Sequence, residues 1–359
     1  MARLKFSGGS AEAKGVPPRA GRGVFWPASS PGLDEPGRAG QNRPRVEAPT
    51  PAPFTPYSDY LQQVFGGRTY KVVVSSGLTC PTRDGTLGKK ACAFCDLRGS
   101  SSYFGKQGRG KSVLEQINRR LPEIRGRFGS EKFLAYFQSY TNTYSDDGAY
   151  LEEFYEAALS HPEISGLCIG TRPDCLPDET LALLERLGRR KHVSLELGIQ
   201  SFEDATLEWL DRGHDGRCSL EAMERLRRLA PSVHVCAHLI FGSPTDSADM
   251  PEQAARILNS SGVKGVKLHQ LMVLEHTELA RRWKEEGPFP VLSLEDYSAR
   301  VGRFLEYLDP GIYIERLNAL SSHAEECIAP EWSRYRWEPH NFMRQYFAQN
   351  GIRQGSRLS

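Results

Sequence analysis

Three cysteines stand close together in the first third of the chain: Cys80, Cys92 and Cys95, separated by eleven and then by two residues. Thiolates bind metal ions and iron–sulfur clusters, and a set of three leaves a fourth coordination position open. Three thiolates with one open position are typical of a [4Fe-4S] cluster that takes an external ligand at its fourth iron. The spacing therefore predicts a metal site at these three residues.

Other types of cysteine site fit this spacing less well. A zinc ribbon needs a second pair of cysteines or histidines at short spacing, and none stands near these three. A thioredoxin-type Cys-x-x-Cys opens a helix directly after its strand, whereas Cys92 lies well beyond Ser76, where the first predicted strand ends. The eight cysteines of the chain are also too few for a disulfide scaffold.

From Tyr57 onward, apolar β-rich runs alternate with amphipathic stretches, which predicts βα units around a parallel sheet. The predicted strands are Lys71–Ser76, Lys132–Gln138, Gly166–Gly170, His192–Ile199, His234–Phe241 and Gly265–Leu271, with a possible seventh at Ile312–Arg316. The predicted helices are Val113–Glu123, Tyr150–Leu159, Pro177–Leu187, Ala205–Leu210, Leu220–Leu229, Met250–Asn259 and Leu294–Leu308. Six repeats favour an α/β fold with a partial (β/α)6 TIM-like barrel, whose site lies at the C-terminal ends of the strands.

Composition bounds the rest of the chain. A net charge of +2 on 359 residues gives no overall electrostatic case for binding nucleic acid or a membrane. Residues 1–56 hold ten Pro and eight Gly and are predicted to be a disordered Pro/Gly/Arg-rich tail, either dispensable or a weak RNA-tethering arm. With no long apolar run and no signal-peptide core, we expect a cytoplasmic protein without membrane contact.

Motifs along the chain resemble the radical S-adenosylmethionine (SAM) superfamily. They are CPTRDGT, FQSYTNTY, GTRPDCLPDE, LELGIQS, LDRGHD, HLIFGSP and KLHQLMVL. The eleven residues between Cys80 and Cys92 depart from the common Cys-x3-Cys-x2-Cys pattern and resemble a narrower branch, the YhcC/YtqA-type proteins, related to the catalytic subunit of elongator. We therefore expect a radical SAM core over residues 57–318 and a small helical extension over residues 319–359, packed on that core.

The resemblance implies that the three cysteines hold a [4Fe-4S] cluster, that SAM chelates its fourth iron, and that Phe94 lies by the adenine. Gln138, Ser139, Thr141 and Asn142 occupy the place of the superfamily's GGE-type motif, which contacts the SAM amino group. Because GGE itself is absent, that role falls to backbone carbonyls and side-chain oxygens here.

Further residues follow the third and fourth strands. Arg172 and Asp174 either contact SAM or form a structural pair that fixes a turn. Gln200 and Arg212 resemble the pair in oxygen-independent coproporphyrinogen oxidase that contacts the ribose and the SAM carboxylate; a guanidinium forks onto a carboxylate with two hydrogen bonds. The alternative for Arg212 is a solvated cation at a helix end. Glu196 is either buried and paired or part of the SAM site.

His238, His269 and Arg316 are the candidates for catalysis or substrate contact, at or near the ends of later strands. A lone histidine within a strand is also a common structural residue, so a structural role for both histidines stays open. Arg316 is a candidate contact for an anionic group of the substrate.

The mechanism implied by the resemblance is reductive cleavage of SAM to a 5′-deoxyadenosyl radical, with an electron from a flavodoxin- or ferredoxin-type donor. The relation to elongator points to tRNA, at the side chain of a wobble uridine. Arginine-rich stretches at 119–127 and 225–228 either contact phosphate or form solvated helix faces. The alternatives are a radical reaction on a small-molecule metabolite and a non-catalytic iron–sulfur or zinc protein.

Overall fold

The computed structural model describes residues 52–88, 91–97, 99 and 112–358, so most of the predicted tail lies outside the described residues. Within these ranges the strands are β1 (Thr69–Val74), β2 (Lys132–Phe137), β3 (Ile164–Thr171), β4 (His192–Gln200), β5 (His234–Phe241), β6 (Gly265–Gln270), β7 (Val273–Leu274), β8 (Tyr313–Arg316) and β9 (Cys327–Ala329). The helices are α1 (Tyr57–Phe65), α2 (Val113–Phe128), α3 (Gly148–Ser160), α4 (Asp178–Gly188), α5 (Asp204–Trp209), α6 (Gly216–Leu229), α7 (Met250–Ser261), α8 (Glu278–Glu285), α9 (Leu294–Tyr307) and α10 (Glu338–Gln349).

Seven strands form one parallel sheet in the order β1-β2-β3-β4-β5-β6-β8. Every strand up to β6 pairs with its neighbour in the chain, and β8 pairs with β6 after the excursion through β7, α8 and α9. The sheet and its helices form the predicted partial barrel, and the seventh strand is confirmed. The short strands β7 and β9 form a separate antiparallel pair.

The two faces of the sheet differ because alternate side chains of a strand point to opposite sides. On the outer face, apolar side chains such as Val72, Ala135, Leu167 and Val266 are fully buried under the helices and form the main hydrophobic core. The residues between them face the inside of the barrel, and several of these are charged. The outer face therefore stabilises the fold, and the inner face is available for chemistry.

The first strand ends at Val74, two residues earlier than predicted. Gln116 of α2 replaces a neighbouring strand here: its Oε1 accepts from the Ser75 N–H at 2.8 Å, and its Nε2 donates to the Ser75 carbonyl at 3.1 Å. Since the backbone of Ser75 is satisfied by a side chain, the chain is free to leave the sheet and enter the cysteine loop.

Helix α2, which supplies Gln116, runs five residues past its predicted end. It begins at a capping box between Ser112 and Glu115 and ends at Gly129, whose φ of 60° is the left-handed conformation that glycine adopts at little cost. The caps therefore set its length.

The two ends of the described chain meet beside β8. The Ile314 N–H donates to the Thr55 carbonyl at 2.8 Å, and the Thr55 N–H donates to Gln354 Oε1 at 2.8 Å. Residues 53–56, which were assigned to the predicted tail, thus lie against the last strand of the sheet. The C-terminal segment contains β9 and two short 3-10 helices besides α10. None of the described helices is long and apolar enough to cross a membrane.

Candidate functional site

The loop after β1 brings the three cysteines together at the C-terminal side of the sheet. Cys80 and Cys92 are buried, and Cys95 is half-buried. The hydroxyl of Thr82 lies between the first two, 3.2 Å from the Cys80 Sγ and 3.9 Å from the Cys92 Sγ. The Cys95 N–H donates to the Cys92 carbonyl at 2.9 Å, which closes a turn around Ala93 and Phe94.

Three arginines approach the thiols. Arg83 Nη2 lies 3.1 Å from the Cys95 Sγ, while Arg172 Nη1 and Arg212 Nη1 lie 3.5 and 3.4 Å from the Cys92 Sγ. Burial raises the pKa of the Cys92 thiol, but Arg212 and Arg172 together outweigh it, so this pKa is below its ordinary value. The arrangement therefore favours a thiolate at Cys92.

Arg212 is held by the end of β4. Its Nη2 donates to the Gly198 carbonyl at 2.5 Å, whereas its Nε is buried and has no hydrogen-bond partner among the described residues. Gln200 adopts a φ of 71° next to a register shift in the pairing of β4 with β5, and such strain is often kept at functional sites. Arg212 is thus buried, and the solvated-cation interpretation is wrong for its position.

Arg172 and Asp174 form the structural pair that one interpretation predicted. Arg172 Nε donates to Asp174 Oδ1 at 2.9 Å, and Nη2 donates to Oδ2 at 2.8 Å. Burial raises the pKa of Asp174, but the pairing with Arg172 lowers it below its ordinary value. Arg172 Nη2 also donates to the Arg212 carbonyl at 2.7 Å. The pair therefore joins the β3 loop to the β4 loop beside Cys92.

In the segment after β2, Asn142 and Thr141 differ in whether their side chains are already hydrogen-bonded within the protein. Asn142 donates from Nδ2 to the carbonyls of Phe137, Ser139 and Gly170 at 2.9, 3.1 and 3.1 Å, and its Oδ1 accepts from a serine hydroxyl of the β1 loop. All of its side-chain hydrogen-bonding groups are thereby used to tie three loops together. The Oγ1 of Thr141, in contrast, is buried and has no hydrogen-bond partner within the described ranges.

Gln138 is half-buried at the end of β2, and Ser139 is buried beside it. Phe94 is partly buried against a second apolar cluster, separate from the main core. The contacts of Gln138, Ser139 and Phe94 with SAM therefore stay predictions.

Glu196 is the centre of an interior charge cluster formed by Glu196, Glu315, Lys71, Lys267, Tyr136 and His238. Its Oε1 contacts the Nζ atoms of Lys71, at 2.7 Å, and Lys267, and its Oε2 accepts from the Tyr136 hydroxyl at 2.5 Å. His238 Nε2 lies 3.1 Å from the same Oε2. Glu196 is therefore buried and paired, one of the two predicted alternatives.

The second carboxylate of the cluster joins the first and last strands of the sheet. Glu315 Oε2 on β8 lies 3.2 Å from the Nζ of Lys71 on β1 and 3.7 Å from that of Lys267. Burial raises the pKa of both carboxyls, but the two lysines outweigh it and hold each pKa well below its ordinary value. Both carboxylates are ionised at neutral pH.

The two histidines and Arg316 belong to the same inner wall. Desolvation lowers the pKa of His238 to about 4 and that of His269 to about 3, so both imidazoles are neutral near pH 7. His269 Nδ1 lies 2.5 Å from the Gln270 carbonyl, which places its proton on Nδ1, and Arg316 Nε donates to the Leu268 carbonyl at 3.2 Å. Arg316 contributes to the low pKa of both histidines, so the three lie near one another.

The arginine-rich stretches are largely ion-paired on helix surfaces. Arg227 Nη2 lies 2.8 Å from Glu224, Arg120 Nη1 lies 3.6 Å from Glu123, and Arg225 and Arg125 also have acidic partners, Asp178 and Glu163. This favours the interpretation as solvated helix faces.

Sequence reasoning missed Arg83 and the lysines of the interior charge cluster. Arg83 has no local signal beyond its place between two cysteines. Lys267 and His269 did carry one: two polar residues at spacing two in an otherwise apolar strand must share a face. Lys71 sits in the same way within an apolar run of β1.

Two family models match the chain. Residues 89–258 match the model described as the radical SAM superfamily, and residues 263–349 match the Radical_SAM C-terminal domain. The chain therefore belongs to the radical SAM superfamily and is a radical SAM enzyme. Membership implies SAM and an iron–sulfur cluster as cofactors, and an external electron donor.

Relatives that match over most of their length include YtqA and YhcC. YtqA of Bacillus subtilis (strain 168) is 32% identical over 298 residues, which is 83% of this chain and 90% of YtqA. Protein YhcC of Escherichia coli (strain K12) is 33% identical over 299 residues, 83% of this chain and 93% of YhcC. Within the superfamily the chain belongs to this YhcC/YtqA branch, as the motifs predicted.

A protein named for a tRNA uridine matches a smaller part of the chain. The tRNA uridine(34) acetyltransferase of Methanocaldococcus jannaschii is 31% identical over 121 residues, 33% of this chain and 21% of that protein. The structure of Methanocaldococcus infernus Elp3 with residues 1–46 deleted superposes with a TM-score of 0.59 at 18% identity, covering 80% of this chain and 64% of that one. This superposition shows a shared fold.

Proposed function

We propose that the chain holds one [4Fe-4S] cluster on Cys80, Cys92 and Cys95 and cleaves SAM reductively. The observation that carries this proposal is the Nε of Arg212, which is buried without a partner in the part of the chain that the structure describes, while its Nη1 lies 3.4 Å from the Cys92 Sγ. A buried donor without an acceptor is costly, and a carboxylate is the acceptor that best suits a guanidinium. The carboxylate of SAM, bound next to Cys92, supplies that acceptor.

The residues around the thiols fit such a cluster. Three guanidinium groups lie at the Cys92 and Cys95 sulfurs and the Thr82 hydroxyl lies at that of Cys80, so each sulfur has a hydrogen-bond donor beside it. In the part of the chain that the structure describes, no three His, Cys, Asp or Glu side chains are arranged to hold a single metal ion. The proposal therefore rests on the chemistry of the three thiols and of the groups beside them.

When bound, the reduced cluster supplies one electron to the sulfonium of SAM, which yields methionine and a 5′-deoxyadenosyl radical. The chain's own residues bind and orient the substrates. We assign the SAM carboxylate to Arg212, the ribose to Gln200 and the adenine to Phe94. Arg172, locked by Asp174, directs its Nη1 at the Cys92 sulfur and so compensates negative charge there.

The SAM amino group needs acceptors, which the segment after β2 provides. We assign this contact to Thr141, whose Oγ1 is buried and finds no partner among the residues that the structure describes, together with the backbone of Gln138 and Ser139. Asn142 and Glu196 act as positioning residues, because their side chains are engaged within the protein.

His238, His269 and Arg316 form the wall that we assign to the substrate. Neutral imidazoles accept and donate hydrogen bonds without adding charge, and Arg316 supplies the positive charge for an anionic group. The part that we assign to this wall is to hold the substrate and to exclude water that would quench a radical.

We infer that the substrate is tRNA and that the reaction remodels the side chain of a wobble uridine. The finding that supports this is the 121-residue likeness to a protein named for uridine 34 of tRNA. The electron comes from a flavodoxin- or ferredoxin-type donor, and we place the reaction in the cytoplasm.

The test is anaerobic reconstitution with iron and sulfide, reduction in the presence of SAM, and quantification of 5′-deoxyadenosine with and without bulk tRNA. We expect product, more product with tRNA, and RNA affinity that falls steeply with salt. Product formation without any effect of tRNA, together with no RNA binding at low salt, would indicate that the substrate is a small molecule. Zinc without sulfide, or a cluster that never cleaves SAM, would contradict the proposed cleavage.

Replacing Arg212 by lysine tests the carboxylate contact. A lysine ammonium cannot reach the Gly198 carbonyl, the Cys92 sulfur and a carboxylate with the fork geometry of a guanidinium. The SAM concentration for half-maximal cleavage should rise by about 10- to 100-fold, the loss of one or two charge-assisted hydrogen bonds. Unchanged half-saturation at equal cluster content would remove Arg212 from the SAM site.

A Gly198→Ala substitution should weaken SAM binding through Arg212. The added Cβ would lie 2.9 Å from Arg212 Nη2 and 3.0 Å from Gln200 Nε2, so both side chains must move. We expect half-saturation by SAM to rise about tenfold, as small displacements at reactive centres do. Gly126→Ala, in α2 with open space around it, is the matched control and should leave SAM binding unchanged.

A further inference from the structure

Ala93, inside the Cys-x-x-Cys turn, is held through both of its backbone groups. Its N–H donates to the Leu210 carbonyl at 2.8 Å, and its carbonyl accepts from the Leu279 N–H at 2.9 Å. Leu279 lies in the first turn of α8, where backbone N–H groups have no partner within the helix. A helix from the C-terminal third of the chain thus completes the hydrogen bonding of the cysteine turn.

Arg282, one turn further along α8, binds the residues on both sides of Leu210, the residue that accepts from the Ala93 N–H. Its Nη1 donates to the Trp209 carbonyl at 2.6 Å, and its Nη2 donates to Asp211 Oδ2 at 2.5 Å. These acceptors flank Leu210, which receives the Ala93 N–H, and Asp211 directly precedes Arg212. Asp211 has a φ of 50°, a conformation that a non-glycine residue keeps only when its surroundings enforce it.

Apolar contacts act in the same place. Ala93, Leu210 and Leu279 are fully buried in the second apolar cluster, which also includes residues of β7 and β9. Phe94 and Trp209 pack against its edge. The cysteine turn is therefore fixed by burial as well as by hydrogen bonds, and the elements that fix it are the end of α5 and, after β6, helix α8 with strands β7 and β9.

We propose that Arg282 is a positioning residue for the cluster and for the SAM carboxylate contact. By binding Trp209 and Asp211, it fixes the position of the Leu210 carbonyl, which accepts from the Cys-x-x-Cys turn. It also fixes the position of the Arg212 backbone, from which the Arg212 side chain extends. This inference rests on the proposed function, since it assigns the cluster to Cys80, Cys92 and Cys95. The segment matched by the C-terminal family model is thereby part of the cofactor site.

The experiment compares Arg282→Ala with Arg281→Ala. Arg281, the neighbouring residue, lies on the solvent side of α8. Among the described residues it pairs only with Glu278, Glu285 and Glu286. Arg281→Ala therefore removes an arginine from the same helix without touching the contact to Trp209 and Asp211. The first readout uses metal-free protein: the rate at which Cys92 is alkylated, with fully buried Cys236 as internal reference. The second is iron and sulfide content after reconstitution, with the electron paramagnetic resonance spectrum of the reduced protein.

We expect Arg282→Ala to raise Cys92 alkylation and cluster loss in air by about tenfold, as loss of supporting contacts around metal ligands does. Arg281→Ala should match the wild type in both. Arg282→Lys should fall between them, because an ammonium can pair with Asp211 but cannot also hold the Trp209 carbonyl in a fork. Thermal unfolding identifies any variant that has lost its fold, and the lysine variant then decides.

The outcomes separate the two proposals. If wild-type protein holds no cluster, the proposed function fails, and Cys92 alkylation still tests the contact made by Arg282. If wild-type protein holds a cluster and folded Arg282→Ala shows the same alkylation, cluster stability and spectrum, the positioning role of Arg282 is wrong.

Discussion

We expect the Cys92→Ala protein to form no 5′-deoxyadenosine above a protein-free blank under conditions in which the wild type forms it. The substitution removes one of three proposed thiolate ligands, and its sulfur is also the group that Arg172 and Arg212 both contact. Two buried guanidinium groups then lose the same acceptor. Iron and sulfide content, measured on the same samples, should fall with the product.

Cys218→Ala is the control for this experiment. Cys218 is a half-buried residue near the start of α6, outside the cysteine loop, and its substitution leaves the three proposed ligands in place. It should retain both the cluster and SAM cleavage. Product formation by Cys92→Ala at the wild-type level would show that the ligand set is wrong, even if the protein is a radical SAM enzyme.

The second large effect concerns stability: Glu196→Ala should lower the free energy of unfolding by about 3 to 5 kcal/mol, the cost of breaking a buried ion pair from one side. Glu196 is 2% exposed and contacts Lys71, Lys267, Tyr136 and His238. Without it, a single carboxylate, Glu315, faces two lysines inside the barrel. Urea unfolding of metal-free protein measures the loss.

The pH dependence gives this prediction a direction. Since the pKa of Glu196 in the folded protein is well below its ordinary value of 4.5, its contribution is present above that pH and is lost as the pH falls. The difference between wild type and Glu196→Ala should therefore shrink in acid. Glu196→Gln, which keeps an acceptor for Tyr136, should lose less. A loss by Glu196→Ala that is small and independent of pH would mean that the cluster does not stabilise the barrel.

The cysteine loop and the partial barrel were predictable because their signals are local. Cys80, Cys92 and Cys95 lie within one loop, and each apolar strand is followed by its own amphipathic helix. In a parallel sheet, this order alone sends the loop after β1 to the C-terminal edge. The position of Arg212 beside Cys92 follows from the same rule, as the loop after β4 reaches that edge too.

The rest depends on contacts between distant parts of the chain. Lys71 and Glu315 meet because the first and last strands of the sheet curve toward each other, and no pattern in either strand specifies that closure. Asn142 looks like a ligand residue in sequence, but its amide is used where three strand ends converge. Whether a polar residue at a strand end is free or engaged is decided by its neighbours in space.

The contact between Ala93 and Leu279 has a consequence for how the protein is made. Strands β1 to β6 pair in chain order, so the sheet can grow as each βα unit leaves the ribosome, and the cysteine turn emerges early. The N–H that completes this turn belongs to α8 and is synthesised only after all six strands. A nascent chain therefore exposes its three thiols before this contact can form, so the site that we propose for the cluster is completed only late in translation.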